Sequence, residues 1–135
     1  LSKVFFLADD DLDDQDMFIE AVKSIDKSYE VISAFDGQEA MQLLSGRMPA
    51  MPDFIFLDLN MPKLNGKLCL QRIKEMQTVN AVPVIIYTTS SMRKDMDETM
   101  QMGAARFITK PSSFSALQTA LKDVVNTDWS KRPSA

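Results

Sequence analysis

The feature that most constrains this chain is an alternation. Five short apolar runs are separated by stretches in which apolar residues recur at helical spacing. The runs are Val4 to Ala8, Tyr29 to Ala34, Phe54 to Leu57, Val84 to Tyr87 and Arg106 to Ile108. Most are continuous and β-branched or aromatic, the pattern of strands covered on both faces. Between them, Met17, Phe18, Ala21, Val22 and Ile25 fall on one helical face, and Phe114, Leu117, Leu121, Val124 and Val125 on another. Turn signals agree: Asp36-Gly37 follows the second run, Asn65-Gly66 precedes the third helix, and Pro83 opens the fourth run. Strand and helix repeated five times predict an α/β fold with a doubly wound, five-stranded parallel sheet. Right-handed crossovers favour strand order 2-1-3-4-5.

The 135 residues make one domain, expected over residues 1–127, with residues 128–135 as a frayed tail. No apolar run approaches the length of a membrane span, and no cleavage site follows Leu1 to Ala8, so a cytoplasmic chain without a membrane partner is expected. The chain has no His, which excludes Ser-His-Asp and Cys-His catalysis, HExxH zinc sites and phosphohistidine chemistry on this chain itself. Cys69, the single cysteine, forbids an internal disulfide and reads as a small buried residue of the third helix. A net charge of −4 lacks the basic excess of a nucleic-acid binder. The chemistry must therefore rest on carboxylates, hydroxyls, Lys and Arg.

Those groups gather at strand ends. The first run ends in Asp9-Asp10-Asp11, the third in Asp58, the fourth in Thr88-Thr89-Ser90 and the fifth in Thr109-Lys110-Pro111. Open α/β sheets bind ligands at the carboxyl ends of their strands, beside the switch point between the first and third. Asp9, Asp10 and Asp58 would flank that crevice, with Thr88 and Lys110 on its rim. Two carboxylates about 4 Å apart repel by roughly 4 kcal/mol at an effective dielectric near 20, so three acids need a proton, a Lys or a metal to coexist. Oxygen-only ligands suit Mg2+, which commonly pairs such sites with a phosphate. A hydroxyl and an ammonium beside it suit a transferring phosphoryl group, and Asp58, alone at its strand end, is best placed as nucleophile.

Each of these residues also has a plainer reading. Asp11, Asp13, Asp14 and Asp16 read as a solvated helix start, since acids favour helix N-termini. Asp9, Asp11, Asp13 and Glu20 match an EF-hand spacing, but Asp14 stands where that loop needs Gly, and a strand replaces the entering helix. Taken singly, Thr88 is a strand-end hydroxyl, Lys110 a surface lysine and Phe107 a core residue. On the fourth helix, Met96 and Met100 are expected in a buried stripe, with Met92 or Met102 outside it as an adaptable partner surface.

The joint pattern resembles a two-component response-regulator receiver domain of the CheY-like, stand-alone type, from Lys3 to about Val125. The motifs that carry the resemblance are LADDD, FLDLNMP with Asp58, PVIIYTTS with Thr88 and ITKP with Lys110. Two positions depart from the family's habit: Ala8 stands where a larger aliphatic is usual, and Thr89 where a small residue is. The resemblance implies a flavodoxin-like (βα)5 fold and a phosphoacceptor switch. Asp58 would take phosphate from a sensor histidine kinase or phosphotransfer protein. Asp10, Asp58 and the Asn60 backbone carbonyl would hold Mg2+, with Asp9 acting through water. Thr88 and Lys110 would bind the phosphate, Phe107 would be the switching aromatic, and Asn60 and Ser90 would tune phosphate lifetime. It also implies a cis bond between Lys110 and Pro111.

Output would act in trans on an unidentified protein, through the surface of the fourth helix, fifth strand and fifth helix, which also allows a homodimer. The DLNMPKLNG and TTSS stretches resemble receivers that partner phytochrome-like kinases. The only catalysis expected is of the domain's own phosphorylation and dephosphorylation. One alternative is a haloacid-dehalogenase-type phosphohydrolase with Asp9 and Asp11 as nucleophile and acid. The others are a phosphorylation-independent binding module and a flavin carrier, the last disfavoured by the acidic first loop.

Overall fold

A computed structural model describes residues 2–46 and 48–131. Its elements run β1 (Val4–Ala8), α1 (Leu12–Ile25), β2 (Glu30–Ala34), α2 (Gly37–Ser45), β3 (Phe54–Leu57), α3 (Gly66–Glu75), β4 (Val84–Thr88), α4 (Arg93–Gln101), β5 (Arg106–Thr109) and α5 (Phe114–Asn126). All strand pairs are parallel, in the expected order β2-β1-β3-β4-β5.

The period-2 geometry of a strand sorts each apolar run onto two faces. Phe5, Leu7, Phe54, Phe56, Ile85 and Tyr87 face α1 and α5, meeting Phe18, Ala21, Val22, Leu117, Leu121 and Val124. Phe6, Ala8, Ile55, Leu57, Val84 and Ile86 face the other way, onto Met41, Leu44, Cys69, Leu70 and Ile73 of α2 and α3. Burial on both sides explains why β1, β3 and β4 read as unbroken apolar runs. The edge strands β2 and β5 are only partly covered.

Side-chain caps set most helix starts. Asp11, Asp36, Asn65 and Ser113 each accept from a backbone N–H three residues on, satisfying one donor that the helix leaves open. Helix α4 lacks this device, because its N-cap is Met92.

Three expectations need correction. Met96 and Met100 do not form a buried stripe: both are exposed, as is Met92, and the buried residue of α4 is Thr99. Its hydroxyl donates to Asp95 O at 2.8 Å, so α4 turns a polar, internally bonded position to the protein and its methionines outward. Phe114 is also exposed, since it opens α5 at the end of the apolar stripe. Nor are the first residues of the tail frayed. A short 3-10 turn, Trp129–Lys131, follows α5, with Trp129 packed on Phe54, beneath the Arg106 guanidinium at 4.8 Å and bonded through Nε1 to Val124 O. The rest of the expected tail, residues 132–135, lies outside the described residues. No described helix is long and apolar enough to cross a membrane.

Candidate functional site

The backbone ladder places the site. Ala8 pairs with Leu57, and the ladder continues one residue further: Asp58 N donates to Ala8 O and Asp9 N to Ala34 O, each at 3.0 Å. Asp9 and Asp58 therefore leave neighbouring strands at the same level. Thr88 pairs with Thr109, and Lys110 N donates to Thr88 O at 2.7 Å, which brings Lys110 to the same edge. Below Asp58 the chain is tight. A Cβ on Gly66 would overlap the Asp58 carbonyl oxygen, so only glycine lets α3 start there. Lys63, in the connecting loop, adopts a left-handed φ of 68° and pairs with Asp36 at 3.5 Å.

Ligand oxygens of Asp9, Asp10 and Asp58 lie within 4.8 Å of one another. Asp9 and Asp58 are buried and Asp10 is exposed, so the cluster opens to solvent on one side. One oxygen of each buried acid accepts a loop N–H: Asp11 N to Asp9 Oδ1 at 3.0 Å, and Asn60 N to Asp58 Oδ1 at 3.2 Å. The second oxygens face Lys110 Nζ, at 2.8 Å from Asp9 Oδ2 and 3.1 Å from Asp58 Oδ2.

Asp9 Oδ2 has the ammonium close by, yet among the described residues it is buried without an aligned hydrogen-bond donor. Burial pushes the Asp9 carboxyl up to about 6, against the lowering effect of Lys110 and of the Asp11 N–H. Lys110 is held above the usual lysine range: its burial acts to lower it, and the hydrogen bond to Asp14 together with the nearby negative charges of Asp9 and Asp58 outweighs that. Hard oxygen donors with one under-satisfied oxygen fit a divalent cation of the Mg2+ type.

Sequence reasoning placed Asp14 in a solvated helix start, and here it failed. Asp14 Oδ2 accepts from Lys110 Nζ at 2.7 Å, the shortest of the three contacts. The signal was present in the spacing. Asp14 lies four residues before Phe18 and eight before Val22, in line with the buried stripe of α1, so its side chain leans toward the sheet while staying 31% exposed. Gln15, also missed, is buried and donates through Nε2 to Asp9 O at 2.7 Å and Ala34 O at 2.9 Å, tying α1 to the strand ends. Asp11 is used differently: its carboxylate caps α1, accepting from Asp14 N at 3.0 Å.

The remaining residues surround this centre. Thr88 is buried, and its Oγ1 accepts from Ser90 N at 3.5 Å. Ser90 Oγ donates to Asp95 Oδ2 at 2.7 Å, fastening the loop after β4 to α4. Phe107 is half-buried against the core on the α2–α3 side of the sheet. Asn60, whose carbonyl was expected to face a metal, is itself exposed in the loop after β3, between the buried Leu59 and Met61. The expected cis bond is corrected: the Lys110–Pro111 bond is trans, like every other among the described residues. Trans is the lower-energy form of an X–Pro bond, and no local sequence feature selects the other.

A 2-1-3-4-5 parallel sheet with acids and one ammonium gathered at its carboxyl edge has the architecture of a signalling receiver. Comparison with known proteins agrees. The sequence model of the response regulator receiver domain matches residues 5–122, and the chain belongs to that family, whose members are phosphoacceptor switches of two-component signalling. The structure of the phosphorylated cyanobacterial phytochrome response regulator RcpA is 30% identical, with a TM-score of 0.85, covering 99% of this chain and 98% of that one. The Mn2+-bound form of response regulator Rcp1 is 26% identical, with a TM-score of 0.80, covering 98% of this chain and 97% of that one. In sequence, Rcp1 of Synechocystis sp. is 29% identical over 119 residues, 85% of this chain and 81% of that protein. Other relatives are longer. The chain spans 66% of the probable methanogenesis regulatory protein FilR2 of Methanothrix harundinacea (28% identical over 73% of this chain) and 22% of the response regulator PleD of Caulobacter vibrioides (32% identical over 76%).

Proposed function

We propose that Asp58 is the phosphoacceptor, and that it takes its phosphoryl group from a phosphohistidine on a sensor histidine kinase or phosphotransfer protein. The observation that carries this reading is the placement of the buried Asp58 carboxylate 3.1 Å from Lys110 Nζ, inside the three-acid cluster. An Asp58 oxygen attacks phosphorus as the bond from phosphorus to the donor's imidazole nitrogen breaks. The electron pair stays with the imidazole, which takes up a proton, and Asp58 becomes a mixed anhydride. The Lys110 ammonium meets the charge on the phosphoryl oxygens, and the Thr88 hydroxyl, released from Ser90 N, donates to another.

Mg2+ fits the donor set, with Asp10, Asp58 and the Asn60 carbonyl as direct ligands and Asp9 through water. When bound it would neutralise charge shared between the carboxylates and the phosphoryl group. The Mn2+-bound relative supports a divalent cation.

Phosphorylation adds about −1.5 to −2 charges at pH 7. Movement of Thr88 toward the phosphate draws on the Ser90–Asp95 contact and so reaches α4, while Phe107 fills the space that Thr88 leaves. The changed surface is α4, β5 and α5, which would bind a protein partner in trans or a second copy of the chain. Side chains at Asn60 and Ser90 would set phosphate lifetime. The resemblance to the phytochrome response regulator RcpA favours a phytochrome-type kinase as donor, and the receiver family a cytoplasmic setting. A dehalogenase-type hydrolase is disfavoured because Asp11, its required acid, is the helix cap of α1.

Intact mass after incubation with acetyl phosphate tests the reading. One labile phosphoryl adduct is expected, dependent on Mg2+ and absent from Asp58→Asn. No adduct on folded wild-type protein would overturn it.

A further inference from the structure

Lys110 Nζ has three N–H donors, and three carboxylate oxygens surround it: Asp14 at 2.7 Å, Asp9 at 2.8 Å and Asp58 at 3.1 Å. Asp14 is unlike the other two. It reaches in from α1, 96 residues away in sequence, and it is not among the acids whose oxygens gather within 4.8 Å. Its position is set by rigid parts. The helix start is capped through Asp14 N by Asp11, and the neighbouring Gln15 is bonded to the ends of β1 and β2. Lys110 has little freedom to turn away, since its side chain is 9% exposed and its ammonium lies 5.6 Å from the centroid of the Tyr87 ring.

We propose that Asp14 is a positioning residue that sets the balance between cation and phosphoryl affinity at this site, acting through Lys110. The inference rests on the reading of Asp58 as phosphoacceptor. Asp9, Asp14 and Asp58 share the Lys110 ammonium, and Asp10 adds a fourth carboxylate beside Asp9 and Asp58, an excess of negative charge among the described residues that draws a divalent cation and resists a phosphoryl group. When Asp9 and Asp58 turn to a cation, Asp14 is the carboxylate left on Lys110, keeping the ammonium in place beside a second positive charge. A phosphoryl oxygen must then compete with Asp14 for that ammonium. Removing the Asp14 charge therefore weakens cation binding and strengthens anion binding, while keeping the charge at the same place changes neither.

The test is calorimetric titration of the full chain, first with Mg2+ and then, at saturating Mg2+, with beryllofluoride as the phosphoryl mimic. Asp14→Asn is expected to bind Mg2+ about three- to tenfold more weakly and beryllofluoride about three- to tenfold more tightly, with both shifts shrinking at high salt. Asp14→Glu is expected to restore both. A partly unfolded variant would weaken both ligands, so the opposite signs separate the proposed role from a structural one. Asp14→Gln, read in the same way, replaces the Asn variant if that one loses its circular dichroism. Affinities that move together or stay unchanged would overturn the inference alone. A wild-type chain that binds Mg2+ but no beryllofluoride would overturn the phosphoacceptor reading, and this inference with it.

Discussion

Lys67 on α3 donates to Asp95 on α4 at 2.7 Å, and the same Asp95 carboxylate accepts from Ser90 Oγ at 2.7 Å. A second acid, Glu98, meets Lys67 at 2.8 Å. These contacts join the loop after β4, the start of α4 and the neighbouring helix. They matter because α4 has little else to hold it: no side-chain cap, exposed methionines and Thr99 as its buried residue. The helix that phosphorylation is proposed to move is fastened by ion pairs and not by a core.

Lys67→Met is therefore expected to loosen α4 more than it destabilises the fold. Partly exposed pairs of this kind contribute up to about 1 kcal/mol. Hydrogen exchange should accelerate in residues 93–101 while β1 and β3 stay protected; uniform acceleration would contradict the assignment.

The same contacts give a pH dependence. Hydrogen bonds from Lys67, then from Ser90, hold the Asp95 carboxyl below the usual aspartate range. A carboxyl depressed in the folded state stabilises the fold above its unfolded pKa, and that contribution is lost as pH falls through the depressed value. The urea-midpoint difference between wild type and Asp95→Asn should be present at pH 7 and shrink toward pH 3. A difference that grows on acidification would reverse the sign.

Gly66→Ala forces a methyl group into the Asp58 carbonyl oxygen, which is backbone and cannot swing aside. Overpacking of this kind costs about 1–3 kcal/mol and should also displace Asp58 from Lys110. Urea denaturation and the acetyl phosphate adduct read the two effects, and both are expected to fall.

Cys69 is wholly buried, and desolvation pushes its thiol up to about 11. Thiol-disulfide reagents should leave the folded protein untouched at neutral pH and label one thiol in urea. Rapid labelling of the native protein would show that α3 opens.

Phe18 stacks edge-on against Phe56 at 5.0 Å, meets Tyr87 at 5.6 Å and is fully buried. Phe18→Ala should cost about 3–5 kcal/mol, checked by urea denaturation. The same change removes the packing that turns the Asp14 face of α1 toward the sheet, so Mg2+ affinity should fall with stability.

Much of the site was legible because a strand end is a local event. Asp9, Asp58 and Lys110 each stand just past an apolar run, and the hydrogen-bond ladder carries each to the same edge without help from any other side chain. Asp14 was not legible in that way. Its periodicity pointed inward, but its run of acidic neighbours read as solvent, and only the arrival of Lys110 from the far end of the chain gives that carboxylate a partner.

The sequence by itself determined the alternation of strands and helices, their order in the sheet, the turns at Asp36-Gly37 and Asn65-Gly66, and the edge where the polar residues collect. These follow from periodicity and backbone geometry, which act over a few residues. Only the tertiary structure decided that Met96 and Met100 face outward, that Trp129 docks beneath Arg106, and that Lys110 is shared among three acids. Each depends on which surfaces meet across distant parts of the chain, and packing between remote elements leaves no period in the sequence to read.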